Sequence, residues 1–430
     1  MRGRAVLAAR PRSLGGAAHH NNIVKQQDKT DMPKKKKGGK KKGGKKGKKK
    51  GQNDEERLEM IKKTKDLLKL YTSTCAKEES STGTYLVSSL KECIEEEKPL
   101  SKAILDPLAS QRMTVAPSSS SKGVVAKKRS SPSVTGPATA PEVAPAVPAV
   151  ASTMSPKIKL KPLLRCFGEV KYHYIRCLHL WYMPLAEEDL VSLALFMASP
   201  VGTQIRVLDL TGNYPTTWGI KRLSRSFVKS QLVHLTLDYN RLSADAVDVL
   251  CQNLKDCLTL LSLNLNYCHM TPECGEPLGL LISASQIRHL GIQGNTLQSR
   301  GVQALLSCLA VVAETSESMP LLGKLYLQDN EIDGCGRGGV FAPIMCMQIL
   351  GRWLARSKSI EEVRLEGNLI GDAAARELML TLQQRKEIGL PAIKVGLTNR
   401  MCTDVFSQLM ELTGTAGGKK KGKGKKKKKK

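Results

Sequence analysis

Three groups of residues carry spacings that belong to known chemistry. Gly334, Gly336 and Gly339, in the stretch GCGRGG, match the GxGxxG spacing with which a backbone loop wraps a pyrophosphate. Such a loop works at the first turn of a doubly wound sheet. Here it falls inside a widened interval of a repeating pattern, so an ordinary loop is expected and no cofactor is assigned. Cys251 with Cys257, and Cys268 with Cys274, stand six residues apart, but no His cluster accompanies them to complete a zinc set. His234 and His289 recur at equivalent points of the pattern with no Ser or Cys nucleophile marked out beside them. A Walker-type GxxxxGK[ST] does not occur. No catalytic residue and no metal site is therefore assigned, and enzymatic activity is not expected.

The element that positions all of these is a repeat. An aliphatic residue, two variable ones, an aliphatic, one variable, an aliphatic, two variable and then Asn recur in six copies. They are Ile205-Leu208-Leu210-Asn213, Leu232-Leu235-Leu237-Asn240, Leu260-Leu263-Leu265-Cys268, Ile287-Leu290-Ile292-Asn295, Leu322-Leu325-Leu327-Asn330 and Ile360-Val363-Leu365-Asn368. A degenerate copy, Ile175-Leu178-Leu180-Met183, precedes them, and a weaker one runs through Ile393, Val395 and Leu397. Alternating aliphatics suit a short strand with one buried face, and a buried Asn can bond backbone groups of neighbouring turns. After Asn240, Leu242, Val247, Leu250 and Leu254 fall at helical spacing.

This pattern resembles the leucine-rich repeat family over roughly residues 170 to 412. The 27- and 28-residue steps between Asn213, Asn240, Cys268 and Asn295 look like the ribonuclease-inhibitor-like subtype. The resemblance implies an α/β fold, a solenoid with a curved parallel sheet inside and helices outside. The Lys-rich ends, with no apolar side chain to bury and with mutually repelling charges, are expected to be disordered tails. The resemblance also implies that Cys268 is a tolerated substitute for Asn and that the cysteines fill the interior as small apolar groups. The steps from Asn295 to Asn330 and from Asn330 to Asn368 are 35 and 38 residues, which places insertions near AETSESMP and DGCGRGGVFAPIMC.

Stacked repeats set their variable strand residues in columns on the concave face. One column reads His179, Asp209, Thr236, Asn264, Gly291, Tyr326, Arg364, and the next Trp181, Thr211, Asp238, Asn266, Gln293, Gln328, Glu366, flanked by Tyr182, Tyr239 and Tyr267. Aromatics beside amides and acids suit a protein contact and suit a phosphate backbone poorly. The expected partner-binding residues are Trp181, Tyr182, Asp209, Asp238, Tyr239, Asn264, Tyr267, Tyr326, Arg364 and Glu366. The scattered charges in these columns are better read as the solvated side of a sheet, and the aromatic cluster near Trp181 as a contact.

Net charge is +29 over 430 residues, yet Lys34–Lys50 and Lys419–Lys430 supply 22 of that excess and residues 157–418 carry only +2. This excludes a uniformly basic nucleic-acid-binding fold. No apolar run is long enough to span a membrane, no secretory h-region is present, and 12 scattered cysteines without a CxxC pair point to a reduced, intracellular chain. Residues 1–53 are expected to be disordered and basic. Their first 31 residues read either as a mitochondrial presequence or as an extension upstream of a start at Met32, the second being the simpler account. Residues 54–108 are expected to hold short amphipathic helices, with Asn53 or Asp54 as the first cap, a face of Leu58, Ile61, Leu68 and Tyr71, and further helices around Leu90 and Ile104. Residues 109–156 read as a Pro/Ala/Ser-rich linker, 157–418 as the repeat domain and 419–430 as a polylysine tail.

Lys/Gly-rich ends on a near-neutral repeat body look like those of proteins assembled on ciliary and flagellar microtubules. The expectation is a cytoplasmic, axonemal scaffold that binds a protein on its concave face, with tails that meet tubulin or another acidic polymer. The alternative is a nuclear or nucleolar RNA-associated adaptor, since such tails also take nucleic acid non-specifically.

Overall fold

A computed structural model describes residues 46–108, 158–316, 319–334, 339–397 and 400–414, with side chains of the first helix described from Asp54 onward. The expected linker, the polylysine tail and the first 45 residues lie outside the described residues. The chain divides into two compact units, residues 1–52 and 53–430.

The first element is helix α1 (Lys46–Lys77), which begins seven residues before the expected cap at Asn53. Adding a residue to an existing helix costs far less than nucleating one, and lysine has good helix propensity, so the helix extends into the end of the lysine block. Its buried face is Met60, Thr64, Leu67, Tyr71 and Cys75, spaced three and four apart. Leu58 and Ile61, expected on that face, lie off it, and Leu58 is exposed. Helix α2 (Thr84–Glu95) buries Leu86 and Leu90. The expected helix around Ile104 is instead a strand, β1 (Lys102–Leu105), which pairs in parallel with β2 (Cys177–Leu180), Ala103 opposite Leu178 and Leu105 opposite Leu180.

Residues 54–108 are thus packed on the repeats and share their core. Tyr172 ties the pieces together: its buried hydroxyl accepts from the Leu100 backbone N–H at 2.7 Å and lies 3.2 Å from Thr64 Oγ1.

From α3 (Lys161–Glu169) onward, strand and helix alternate: β2, α4 (Glu187–Met197), β3 (Val207–Asp209), α5 (Thr217–Ser226), β4 (His234–Thr236), α6 (Ala244–Leu254), β5 (Ser262–Asn264), α7 (Gly275–Ala284), β6 (His289–Gly291), α8 (Gln298–Thr315), β7 (Lys324–Tyr326), α9 (Ala342–Leu354), β8 (Glu362–Arg364), α10 (Asp372–Glu387), β9 (Lys394–Gly396) and α11 (Thr403–Leu412). The nine strands form one parallel sheet in sequence order. Leu178, Leu208, Leu235, Leu263, Leu290, Leu325, Val363 and Val395 are in register and buried, so the weak last copy is a full strand. Helices α5 and α6 are capped by Thr216 and Ser243, whose hydroxyls accept from Gly219 and Ala246 N–H groups.

The Asn that follows β3, β4, β6, β7 and β8 bridges two repeats. Asn240 donates through Nδ2 to the carbonyls of Leu210 and Leu237, and its Oδ1 accepts from the backbone N–H groups of Asn213 and Tyr214, at 2.7–3.0 Å. Asn295 and Asn368 repeat this arrangement. Cys268 keeps the donor half, with Sγ 3.1 Å from the Leu237 carbonyl, and its sulfur is the weaker acceptor toward the backbone of the preceding repeat. Burial pushes its thiol up to about 12.

The first insertion lengthens α8 to 18 residues against 11 in α6. The second includes residues 335–338, outside the described residues, so the GCGRGG loop is described only at Gly334 and Gly339.

Candidate protein-binding face

Strand register sets His179, Asp209, Thr236, Asn264, Gly291, Tyr326 and Arg364 side by side, as expected. Within this face the expected residues gather into three clusters.

The first is centred on Asp209. Its carboxylate accepts from Trp181 Nε1 at 2.7 Å, from the Thr211 hydroxyl at 2.6 Å and from the Thr211 backbone at 3.1 Å, and meets His179 Nδ1 at 3.1 Å. Burial works to raise the Asp209 pKa, but hydrogen bonds from His179, Thr211 and Trp181 outweigh it and hold the carboxyl below its ordinary value. Trp181 also stands edge-on to His179, ring centroids 5.4 Å apart. It is consequently half-buried and anchored rather than freely exposed on the face.

The second cluster is a run of tyrosines where the strands end. The residue before each repeat's Asn position takes the left-handed conformation, with φ of +52° at Tyr182, +70° at Gly212, +56° at Tyr239, +55° at Tyr267 and +67° at Gly294. Bulky residues seldom adopt it. Tyr182 lies over Gly212 and Tyr267 over Gly294, each ring filling the space a Cβ would need. Tyr239 and Tyr267 stack with centroids 4.9 Å apart and planes 10° from parallel. Beneath them Asp238 accepts from the Asn266 backbone and side chain at 2.9 and 3.1 Å, Asn266 Oδ1 accepts from Gln293 N, and Gln293 Nε2 donates to Tyr267 Oη at 2.8 Å. Burial raises the Asp238 pKa, the Asn266 bonds opposing it. Asn264 donates to Thr236 Oγ1 at 3.3 Å.

The third cluster joins Tyr326, Glu362 and Arg364. The Arg364 guanidinium lies 5.3 Å from the Tyr326 ring centre and donates to Glu362 at 2.7 Å. Glu366, on β8's exit, stands against Gly396.

Two further surface aromatics, Tyr214 and Trp218, 58% and 46% exposed, escaped the column reading because they follow the strand. The only signal for Tyr214 is its place beside Asn213. Ser262, also unmarked in sequence, has its hydroxyl 3.3 Å from Nδ1 of His289, correcting the expectation of a His with no Ser near it. Strand register brings them together from different repeats. Burial, then Lys324, lowers the His289 pKa, and among the described residues no carboxylate bonds that ring to complete a triad. Cys251, Cys257, Cys268 and Cys274 are buried free thiols. Among the described residues no group of His, Cys, Asp and Glu is placed to hold a metal, and no helix is long and apolar enough to cross a membrane.

A family model described as Leucine Rich repeat matches residues 256–279. The chain is 29% identical over 195 residues to human NACHT, LRR and PYD domains-containing protein 5, covering 44% of this chain and 15% of that protein. It is 27% identical over 172 residues to the ribonuclease inhibitor of Sus scrofa, covering 39% and 34%. The chain thus spans well under two thirds of these relatives' lengths. A solved internalin from Listeria monocytogenes aligns over 59% of this chain and 69% of that one, at 15% identity and a TM-score of 0.32.

Proposed function

We propose that this leucine-rich repeat chain, ribonuclease-inhibitor-like in its strand-and-helix unit, is a non-enzymatic scaffold that holds a protein partner against the helix-free face of its sheet. The observation that carries the reading is the Tyr239–Tyr267 stack, 48% and 36% exposed on adjoining repeats. Large aromatics already held in place lose little freedom on contact and anchor interfaces well. The amides and carboxylates around them supply directional bonds at fixed strand positions.

The lysine blocks form the other half of the proposal. A polylysine segment binds an acidic polymer without sequence preference, and two linked sites gain avidity when both engage. The favoured polymer is a ciliary or flagellar microtubule with its acidic tubulin tails, which would place the chain in the axoneme. An RNA-associated nucleolar adaptor is the second reading, because lysine blocks without aromatics do not distinguish RNA from acidic protein.

A photo-crosslinking amino acid at position 239 tests the face. It should capture a partner in ciliated cells that the same group at Leu280, 46% exposed on α7, does not; equal labelling from both sites would sink the reading. Co-sedimentation with microtubules across salt, using chains with and without residues 32–45 and 419–430, tests the anchor. Ending the deletion at 45 spares α1. Equal pelleting of the shortened chain rejects the anchor.

A further inference from the structure

The strand-start rim of the sheet differs in charge from the rim where the strands end. At the end rim, three carboxylates, Asp329, Glu331 and Asp333, cluster around Gly367 with one cation, Arg400. At the start rim, between β5 and β9, a groove of about 1010 Å³ is lined by Arg288, Lys324, Lys358 and Lys394, with a single carboxylate, Glu361. Arg288, Lys358 and Lys394 are exposed and Lys324 is half-buried. None of the four makes an ion pair among the described residues, unlike Lys161, Arg165 and Arg352. Glu362, the carboxylate between Lys324 and Lys394 in strand register, is engaged by Arg364. A net excess of three positive charges thus gathers in one groove of a body that carries only +2 over 157–418.

We infer that this groove binds an acidic, extended segment of the partner protein, an inference that rests on the scaffold reading above. Arg288 and Lys324 stand at the starts of β6 and β7, and Lys394 at the start of β9. Three strand spacings separate the outer pair, about 14 Å. An extended peptide advances about 3.4 Å per residue and presents every second side chain to the same side. Carboxylates at alternate positions over five residues therefore span the same length. Arg288 offers a fork for a bidentate carboxylate pair, and the lysines act as point charges. Leu321, Pro391 and Ala392 in the same groove give the intervening side chains apolar contact. A phosphodiester chain carries a charge on every unit and would set one against Glu361, whereas a peptide can place a neutral residue there.

The test is amide hydrogen exchange on the full chain with a decapeptide of alternating Glu and Ser, and in parallel with a ten-nucleotide oligothymidylate. The peptide should slow exchange at 286–289, 321–324, 358–361 and 391–394, and the effect should vanish in Arg288→Glu/Lys324→Glu/Lys394→Glu. Lys358→Glu/Lys394→Glu, at two exposed positions, should reduce it at least tenfold in the peptide concentration required and serves if the triple variant fails to fold. Absence of protection in the groove, protection that survives both variants, or protection by the oligonucleotide alone overturns the inference. Crosslinking from position 239 that persists while groove protection is absent rejects the groove and leaves the scaffold reading standing.

Discussion

The ring of Tyr267 covers Gly294 so closely that a Cβ added to that glycine would lie 2.2 Å from two ring atoms. The same ring stacks on Tyr239. Gly294→Ala therefore meets both a left-handed φ and an occupied site. It should cost about 2 kcal/mol in urea unfolding and loosen the stack, seen as a weaker near-UV dichroism of the tyrosines. Unchanged stability would show that the ring is not held there.

Asn240→Ala removes four hydrogen bonds and leaves buried backbone groups of two repeats unpartnered. A loss of about 3 kcal/mol is expected. Cys268→Asn should move the other way, by about 1 kcal/mol, since an amide there regains the acceptor half that sulfur serves poorly. Equilibrium unfolding of both variants decides; destabilisation by Cys268→Asn would show that the site has shaped itself to the thiol.

What could be read in advance depended on whether a residue's role repeats. Leu208, Leu235 and Leu263 recur with their Asn or Cys partners, so period alone located the strands and their columns. Strand β1 obeys the same spacing, Leu100-Ala103-Leu105-Leu108, but Ala103 replaces a leucine and Pro107 interrupts it, so the copy is disguised. The face of α1 was misjudged because Leu58 and Ile61 are the more apolar residues, while Thr64 is buried through its bonds to Met60 and Tyr172. In the candidate site, Trp181 was found but its environment was not, since the hydrogen bond that holds it comes from a strand 28 residues away. The basic groove was invisible for a related reason: charged residues from four repeats meet there, and the near-neutral total of the body conceals them.

The hydrogen bonds at Asp209 predict a specific acid response. A carboxyl whose folded pKa lies below its ordinary 3.8 adds stability that is present above that value and is lost as the pH falls through the folded pKa. Wild type and Asp209→Asn should therefore differ in urea midpoint at pH 6, and the gap should narrow progressively as the pH is taken below 3.8. A gap that stays constant would mean that the carboxylate is not preferentially stabilised by folding.

Arg385 is 2% exposed, and its guanidinium donates to the carbonyls of Leu354, Ser357 and Pro391, which end α9 and begin the approach to β9. Burial lowers its pKa. Arg385→Met should cost about 3 kcal/mol in thermal or urea unfolding, and Arg385→Lys should recover less than half, because one ammonium cannot reach carbonyls that a planar fork spans. Full recovery by lysine would reduce the role of this residue to charge.

The pairing of β1 with β2 joins residues that lie on either side of a segment of about fifty residues outside the described structure. The first strand of the sheet is therefore docked by a long-range closure, whose entropy grows only slowly with segment length. A proteolytic cut between residues 109 and 157 would leave β1, Leu67, Tyr71 and Leu86 attached by packing and hydrogen bonds alone. The two pieces should copurify, come apart in mild denaturant before the repeats unfold, and reassemble when mixed. In that sense the molecule is a fragment-complementation pair written as a single chain.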